Sequence, residues 1–482
     1  MKRITYIGII YIGFVLLSLT ACNNGKIQDK ESETKSIETS EEEHAYKTAV
    51  DAYIWAYPMV SIGVTCATAT NVPKPLPNAH APINSFGSVA KLFTAADKDV
   101  VSSNVDNLYS SAFLDLTQGA VEISVPATNG RYYSMMLMDI YSNVFDYIGS
   151  RATGTDAGKY LIIGPNWNGE TPPEVLKVFK APTNLVWVIG RTLVDGQDDV
   201  ANVHKIQSQY IAKVIPPATA SPASWSKRNN FPAIDKTKPP VVNVNTMDWK
   251  TYFTWVGKLM MENPVPKSQQ SYVDNFKSIG LSFENGFDIS SLTPEQQKGL
   301  EKSVVAALKQ IDVAAKKKTG RIHEGWFYSL DAGVWGDDYM YRAAVAYRSL
   351  GQNIPDEAVY MNTTEDKEGN LLDASHNNYQ ITFAKGQLPP VDAFWSFTMY
   401  NDKNFFVPNP IGRLAIGNRT KSMKPNKDGS LTIYFQKEAP KGNEGNWLPA
   451  PDGNFRVSLR LYVPKENVID GSWLPPGIEI IK

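Results

Sequence analysis

The chain has 482 residues, 48 basic against 49 acidic side chains, and 43% hydrophobic residues. That apolar content supports about two or three domains with cores of their own and excludes a disordered tail or a disulfide-stapled miniature. A formal net charge of −1 leaves no basic surplus for a row of phosphates, so nucleic acid is not an expected partner.

Residues 1–21 read as a secretory signal: Lys2 and Arg3, an apolar run from Ile4 to Leu19, then Leu19-Thr20-Ala21-Cys22, which resembles a bacterial lipobox. Small residues before Cys22 suit a signal peptidase, and the Cys22 thiol is the nucleophile that takes the lipid. The alternative, an uncleaved anchor, is disfavoured because the run falls short of the ~20 residues a span needs. With Cys22 lipidated, Cys66 is the one thiol left and no intrachain disulfide forms. Asn23 is not the Asp that marks inner-membrane retention, so a cell-envelope location is expected, at the outer membrane if the source is Gram-negative. Residues 22–43 are strongly acidic and nearly free of apolar side chains, which predicts a flexible tether.

A helix is predicted over 43–57, with Tyr46, Val50, Tyr53, Ile54 and Tyr57 at helical spacing and Pro58 near its end. Between Tyr109 and Arg191 short β-rich runs (VEISV, RYYSMMLM, KYLII, LVWVIG) are separated by Gly, Asn and Pro. Asp198 opens a helix carrying Val200, Val203, Ile206 and Tyr210 on one face. Residues 214–245 hold six prolines and read as an irregular crossing segment. Three helices follow. One covers 246–261; one starts at Thr293, with Pro294 and Gln296 completing a capping box, and stops at Gly320; one covers 337–350 and is closed by Gly351. Strands then return. The expected domains are 44–213, a first β-sandwich with flanking helices; 214–336, the crossing segment and helical insert; and 337–482, a second β-sandwich.

The two β-rich blocks echo each other in order. YYSMMLMD at 132–139 matches FWSFTMYN at 394–401, Ile148-Gly149-Ser150-Arg151 matches Ile411-Gly412-Arg413, and Gly158 and Gly429 precede similar strands. Asn166-Trp167 matches Asn446-Trp447, and the strands ending at Arg191 and Arg460 open near Asn184 and Asn454. The fold class expected is α+β, mainly β with a helical insert: two antiparallel sandwich or jelly-roll modules related by a diverged duplication. Shared β composition is the competing explanation. If the duplication holds, Ser134 and Ser396 lie on equivalent strands, and chemistry belongs where the copies differ, as at Asp139 against Asn401.

The segments AYPMV (56–60), NVDNLYSSAFLDL (104–116), RYYSMMLMDIYSN (131–143) and IGSRATGTDAGKYLIIGP (148–165) resemble the domain of unknown function numbered 1254. YRAAVAYRSLG (341–351), LPPVDAFWSFTMYN (388–401) and NWLPAPDGNFRVSLRLYVP (446–464) resemble its companion, numbered 1214. Asn107 departs from the pattern, which has Thr there. The resemblance implies two sandwiches and supplies no agreed reaction, so it assigns no catalytic residue.

The residues themselves give no metal site and no cofactor. The five histidines are scattered, His323-Glu324 lacks a second histidine, and no P-loop, GxGxxG or GxSxG occurs. An oxygen-ligated calcium at Asp198-Asp199 competes with plain helix capping. What remains is a surplus of aromatics beside a few polar groups. Asn104, Arg131, Arg151, Trp395, Tyr400 and Trp447 are candidates for gripping a carbohydrate-like ligand or small organic acid, by stacking and by bonding hydroxyls or carboxylates. Asp106 and Asp139 with Tyr109 and Tyr141 are candidate base and acid for a metal-independent hydrolase or lyase. Against both stands the structural reading, in which the tyrosines are core and the aspartates cap turns, the protein then being a structural envelope component.

Overall fold

A computed structural model describes residues 28–97, 101–215, 230–317 and 320–481. The leader and Cys22 lie outside them, as do residues 22–27 of the expected tether and much of the crossing segment. Several antiparallel sheets form two β regions, and no closed barrel forms among the described residues.

In the first sandwich a five-stranded sheet has the order Gly87–Ser88, Asn107–Asp115, Leu185–Leu193, Tyr133–Asp139, Val144–Gly149. It packs on a four-stranded sheet ordered Lys177–Lys180, Gly158–Ile163, Ala120–Val125, Ile211–Ile215. Leu114, Val186, Val188, Met135 and Leu137 point into the space between the sheets, and alternation sends Phe113, Met136, Met138 and Ile189 to the opposite face. That face is apolar too, because helices cover it. The strand Tyr133–Asp139 is consequently buried along its whole length and lacks polar–apolar alternation.

The covering layer is built from the helices Gln28–Ala69, Trp249–Glu262, Pro294–Lys316 and Tyr339–Ser349. The first differs from expectation at both ends. Residues 28–43 are helical rather than an irregular tether, since Glu and Lys are good helix formers and Glu43 pairs with Lys47 one turn on. Pro58 lies inside the helix instead of near its end. Met59, Val60, Ile62 and Val64 beyond it are fully buried, and that packing offsets the hydrogen bond Pro58 cannot make. The capping box forms as read: Thr293 Oγ1 accepts from Gln296 N at 3.2 Å and Gln296 Oε1 from Thr293 N at 2.9 Å. This helix ends at Lys316, and Gly320 leads instead into the strand Arg321–His323. Among the described residues no helix is long and apolar enough to cross a membrane.

The second sandwich repeats the first. Its larger sheet is ordered Arg321–His323, Trp326–Tyr328, Ala358–Thr363, Phe455–Pro464, Val391–Asn401, Ala415–Gly417; its smaller one Trp447–Pro449, Leu431–Gln436, Tyr379–Phe383, Glu479–Ile480. In each smaller sheet the first pair of strands is parallel and the others antiparallel. Register fixes the correspondence residue by residue. Ser134 faces Arg191 and Gly149, and Ser396 faces Arg460 and Gly417; Tyr109 faces Arg191 as Tyr360 faces Arg460. Gly149 and Gly417 are alike in another respect: a Cβ on either would lie 2.4 Å or 2.1 Å from the carbonyl oxygen of Tyr133 or Trp395. Two of the expected echoes move. Ile148-Gly149-Ser150-Arg151 corresponds to Ile416-Gly417-Asn418-Arg419, not to Ile411-Gly412-Arg413. Trp447 lies in the strand equivalent to Lys177–Lys180, so Trp167 is not its counterpart. Both misreadings come from matching letters across loops of unequal length, where register is invisible.

Candidate functional site

The residues singled out in the sequence separate into three places. Asp139 and Tyr141 lie where the first sandwich meets its helices. Asp139 Oδ1 accepts from the backbone N–H groups of Tyr141 and Asn143, both at 2.9 Å, and closes the hairpin turn. Asn401 does the same job in the second copy, accepting from Lys403 N at 3.0 Å and Phe405 N at 2.9 Å. Burial pushes the Asp139 carboxyl up to about 6, against the pull of these donors and of Arg342. The Tyr141 hydroxyl donates to Asn263 O at 3.2 Å. Trp395 belongs to the core of the second sandwich, and Trp447 is buried beside it with its indole N–H on Gln436 O. Arg131 grips Asp199 through two hydrogen bonds and Leu193 O through a third, so the Asp198-Asp199 loop spends a carboxylate on an ion pair. Among the described residues no group of three or more His, Cys, Asp or Glu side chains is placed to hold a metal.

The remaining candidates meet at the seam between the sandwiches, where the duplication becomes reciprocal. Asp106 directly precedes the strand Asn107–Asp115, and Glu357 the equivalent strand Ala358–Thr363. Arg419 Nη2 donates to Asp106 Oδ1 at 2.7 Å, and Arg151 Nε donates to Glu357 Oε2 at 2.7 Å, so equivalent arginines reach equivalent carboxylates of the opposite half. Ser396 Oγ donates to the other Asp106 oxygen at 2.6 Å, and Tyr132 Oη to the other Glu357 oxygen at 2.7 Å. Burial raises the Tyr132 phenol far above its usual range, and Glu357 acts in the same direction. Asn104 and Asn107 donate to the Tyr462 hydroxyl at 2.7 and 2.9 Å, which gives the unexpected Asn107 a partner. Arg191 donates to Asn353 and Gly351 O, and its counterpart Arg460 to Ser102 O, again each across the seam. Tyr109 lies half-buried under the Arg191 guanidinium, 5.5 Å from ring centre to Cζ.

From this shared row the two copies diverge. On the outer face of the first large sheet the register places Ser134–Arg191–Tyr109, then Met136–Ile189–Ser111, then Met138–Trp187–Phe113. The second copy has Ser396–Arg460–Tyr360, then Thr398–Ser458–Asn362, then Tyr400–Arg456. Where the first face is apolar and meets helices, the second is polar. The Tyr400 hydroxyl donates to Ser103 O and accepts from Arg460 Nη2, both at 2.6 Å. Arg456 Nη2 donates to Ser102 Oγ at 2.7 Å and Arg456 stacks 4.8 Å above the Tyr400 ring, yet its buried Nε has no partner among the described residues. Burial pushes the Arg456 guanidinium down to about 10, and Arg460 and Arg348 push the same way while Tyr400 opposes them. Exposed Arg348, in the last turn of Tyr339–Ser349, donates to Ala315 O at 2.9 Å. None of these three arginines has a carboxylate within ion-pair distance among the described residues. The carboxylate that acts on Arg460 from farther off, Asp106, is already held by Arg419 and Ser396.

Of the candidate residues, then, Asn104, Asp106, Tyr109, Arg151 and Tyr400 share the seam and the polar face beside it. Arg456, Ser458 and Thr398 were missed. The signal for Arg456 and Ser458 is the alternation in FRVSLRLYVP at 455–464, where Arg, Ser, Arg and Tyr occupy every second place between apolar residues; Thr398, on the neighbouring strand, carries no such signal.

Fold and site together define a tandem β-sandwich protein in which one copy keeps a polar outer face. Residues 83–213 match the family described as "Protein of unknown function (DUF1254)" and residues 357–466 the family "Protein of unknown function (DUF1214)", so the chain carries both domains in that order. The fold is similar to that of the VPA0106 protein from Vibrio parahaemolyticus, at TM-score 0.68 and 24% identity over 91% of this chain and 100% of that one. An uncharacterized protein from Burkholderia cenocepacia aligns at TM-score 0.44 and 13% identity over 94% of this chain and 98% of its own. No curated protein matches the chain.

Proposed function

We propose that the protein is a lipid-anchored component of the bacterial cell envelope that binds an anionic polar ligand, a small organic acid or an acidic sugar, on the outer face of its second sandwich. The observation that carries the binding reading is the pair of rows Tyr400–Arg456 and Ser396–Arg460–Tyr360, on either side of Thr398–Ser458–Asn362, which hold guanidinium groups with no carboxylate in ion-pair reach among the described residues. Half-buried cations are expensive to keep unpaired, and a ligand carboxylate is the group that planar guanidinium donors fit best. Half-buried Tyr360, facing Arg460, adds a hydroxyl and part of an apolar ring face for a carbon skeleton. Calorimetric titration of the full chain with organic acids, acidic sugars and their neutral analogues tests this. Acids are expected to bind and neutral analogues not to, with at least a tenfold loss in Arg456→Gln; an Arg456→Gln chain that binds acids as tightly as the parent sinks the proposal.

The anchor rests on the lipobox-like Leu19-Thr20-Ala21-Cys22. Expressed in a bacterial host fed labelled palmitate, the chain is expected to take up label and to fractionate with membranes. Cys22→Ala is expected to do neither; label that persists in Cys22→Ala contradicts the anchor.

A further inference from the structure

We infer that the ligand of this face carries two negative charges, as a short dicarboxylate does; the inference rests on the anionic-ligand reading above and deepens it. The argument is one of charge and placement. Arg456 and Arg460 stand four residues apart on one strand, so their side chains leave the same face of the sheet about 13 Å apart at the backbone, and both guanidiniums converge on Tyr400, with Cζ 4.8 Å and 5.9 Å from its ring centre. Arg460 is buried and Arg456 half-buried, whereas Arg348 is exposed and keeps its water. Two desolvated cations remain, and a single carboxylate would neutralise one of them.

The neighbouring groups make a second acidic group fit better than a neutral one. Each guanidinium already donates to oxygens that bear no charge: Arg456 to Ser102 Oγ, Arg460 to Thr398 Oγ1, the Tyr400 hydroxyl and Ser102 O. Donors that remain, such as the buried Arg456 Nε, want an acceptor. The first sandwich supplies the internal comparison. There the position of Arg456 is Trp187 and that of Ser458 is Ile189, so the equivalent of Arg460, Arg191, is the one cation of its face and, among the described residues, its guanidinium bonds only across the seam. The second cation was therefore added, or kept, only in the copy whose face helices leave polar.

The test compares malonate, succinate and glutarate, each against its own half-amide, by calorimetry on the full chain at one ionic strength. At least one dicarboxylate is expected to bind ten times or more tighter than its half-amide. Arg456→Gln should erase that difference and Arg456→Lys should retain most of it, which separates lost charge from lost folding. Dicarboxylate and half-amide binding with equal affinity overturns the two-charge inference while leaving the anionic reading in place. No binding by any acid or acidic sugar overturns both.

Discussion

At the scale of single residues, the duplication is a control for function. Asp139 looked like a general base because it is a carboxylate in a motif rich in tyrosine, but Asn401 makes the same two backbone hydrogen bonds without a charge. The carboxylate at 139 is a burden to the fold, since burial holds its pKa at about 6 against 3.8 for the free group. The sign follows from linkage: a raised carboxyl pKa means the folded state binds the proton more tightly than the unfolded state. Stability is then highest below pH 4 with respect to this group and declines as pH rises through 4 to 6, by about 3 kcal/mol at most. Asp139→Asn should keep the turn and remove the decline. Urea unfolding is expected to show the variant more stable than the parent at pH 7.5 and level with it near pH 4. A variant that is less stable at pH 7.5 would mean that the charge beside buried Arg342 does more for the fold than its own burial costs.

At the scale of elements, the sequence was most legible where local chemistry decides and least where packing does. The capping box at Thr293 follows from side-chain reach alone, and it forms at the residue expected. The helix through Pro58 does not, because its continuation to Ala69 is fixed by burial against elements remote in the chain. The β-rich blocks and their order were readable from alternating strands between turn residues, as was the equivalence of Ser134 with Ser396. What could not be read was register across loops, which is why Arg413 was matched to Arg151 although Arg419 takes that place. The candidate site shows the same division. Asp106, Asn104 and Tyr400 stood out as polar residues in β-rich motifs, but nothing local says that Asp106 is joined to Arg419, 313 residues away. A strand bearing Arg456, Ser458 and Arg460 on one face carried a readable signal of a polar outer surface. It competed with the stronger impression made by the tryptophans, which the fold places in or beside the core.

At the scale of the molecule, the two sandwiches are held by a seam whose fastenings come in related pairs. Arg151–Glu357 and Arg419–Asp106 each put an arginine from one half on a carboxylate from the other, and the acidic side chains are 1% and 4% exposed. Between them lies an apolar and aromatic patch of Tyr132, Phe394 and Tyr462, with the last two rings stacked at 4.2 Å. Removing one guanidinium strands a buried carboxylate, which costs about 2 kcal/mol here, less than the full penalty for a buried pair because the arginines are partly exposed. Arg151→Gln and Arg419→Gln should each lower stability by about that much while leaving unfolding a single transition. Together they leave the aromatic patch as the main contact, and the halves, each with its own core, should then melt apart. Differential scanning calorimetry is expected to resolve two transitions in the double variant against one in each single. If the double variant still unfolds in one transition, at the temperature of the parent, the seam is held by its apolar centre and the reciprocal ion pairs are not what couples the two copies.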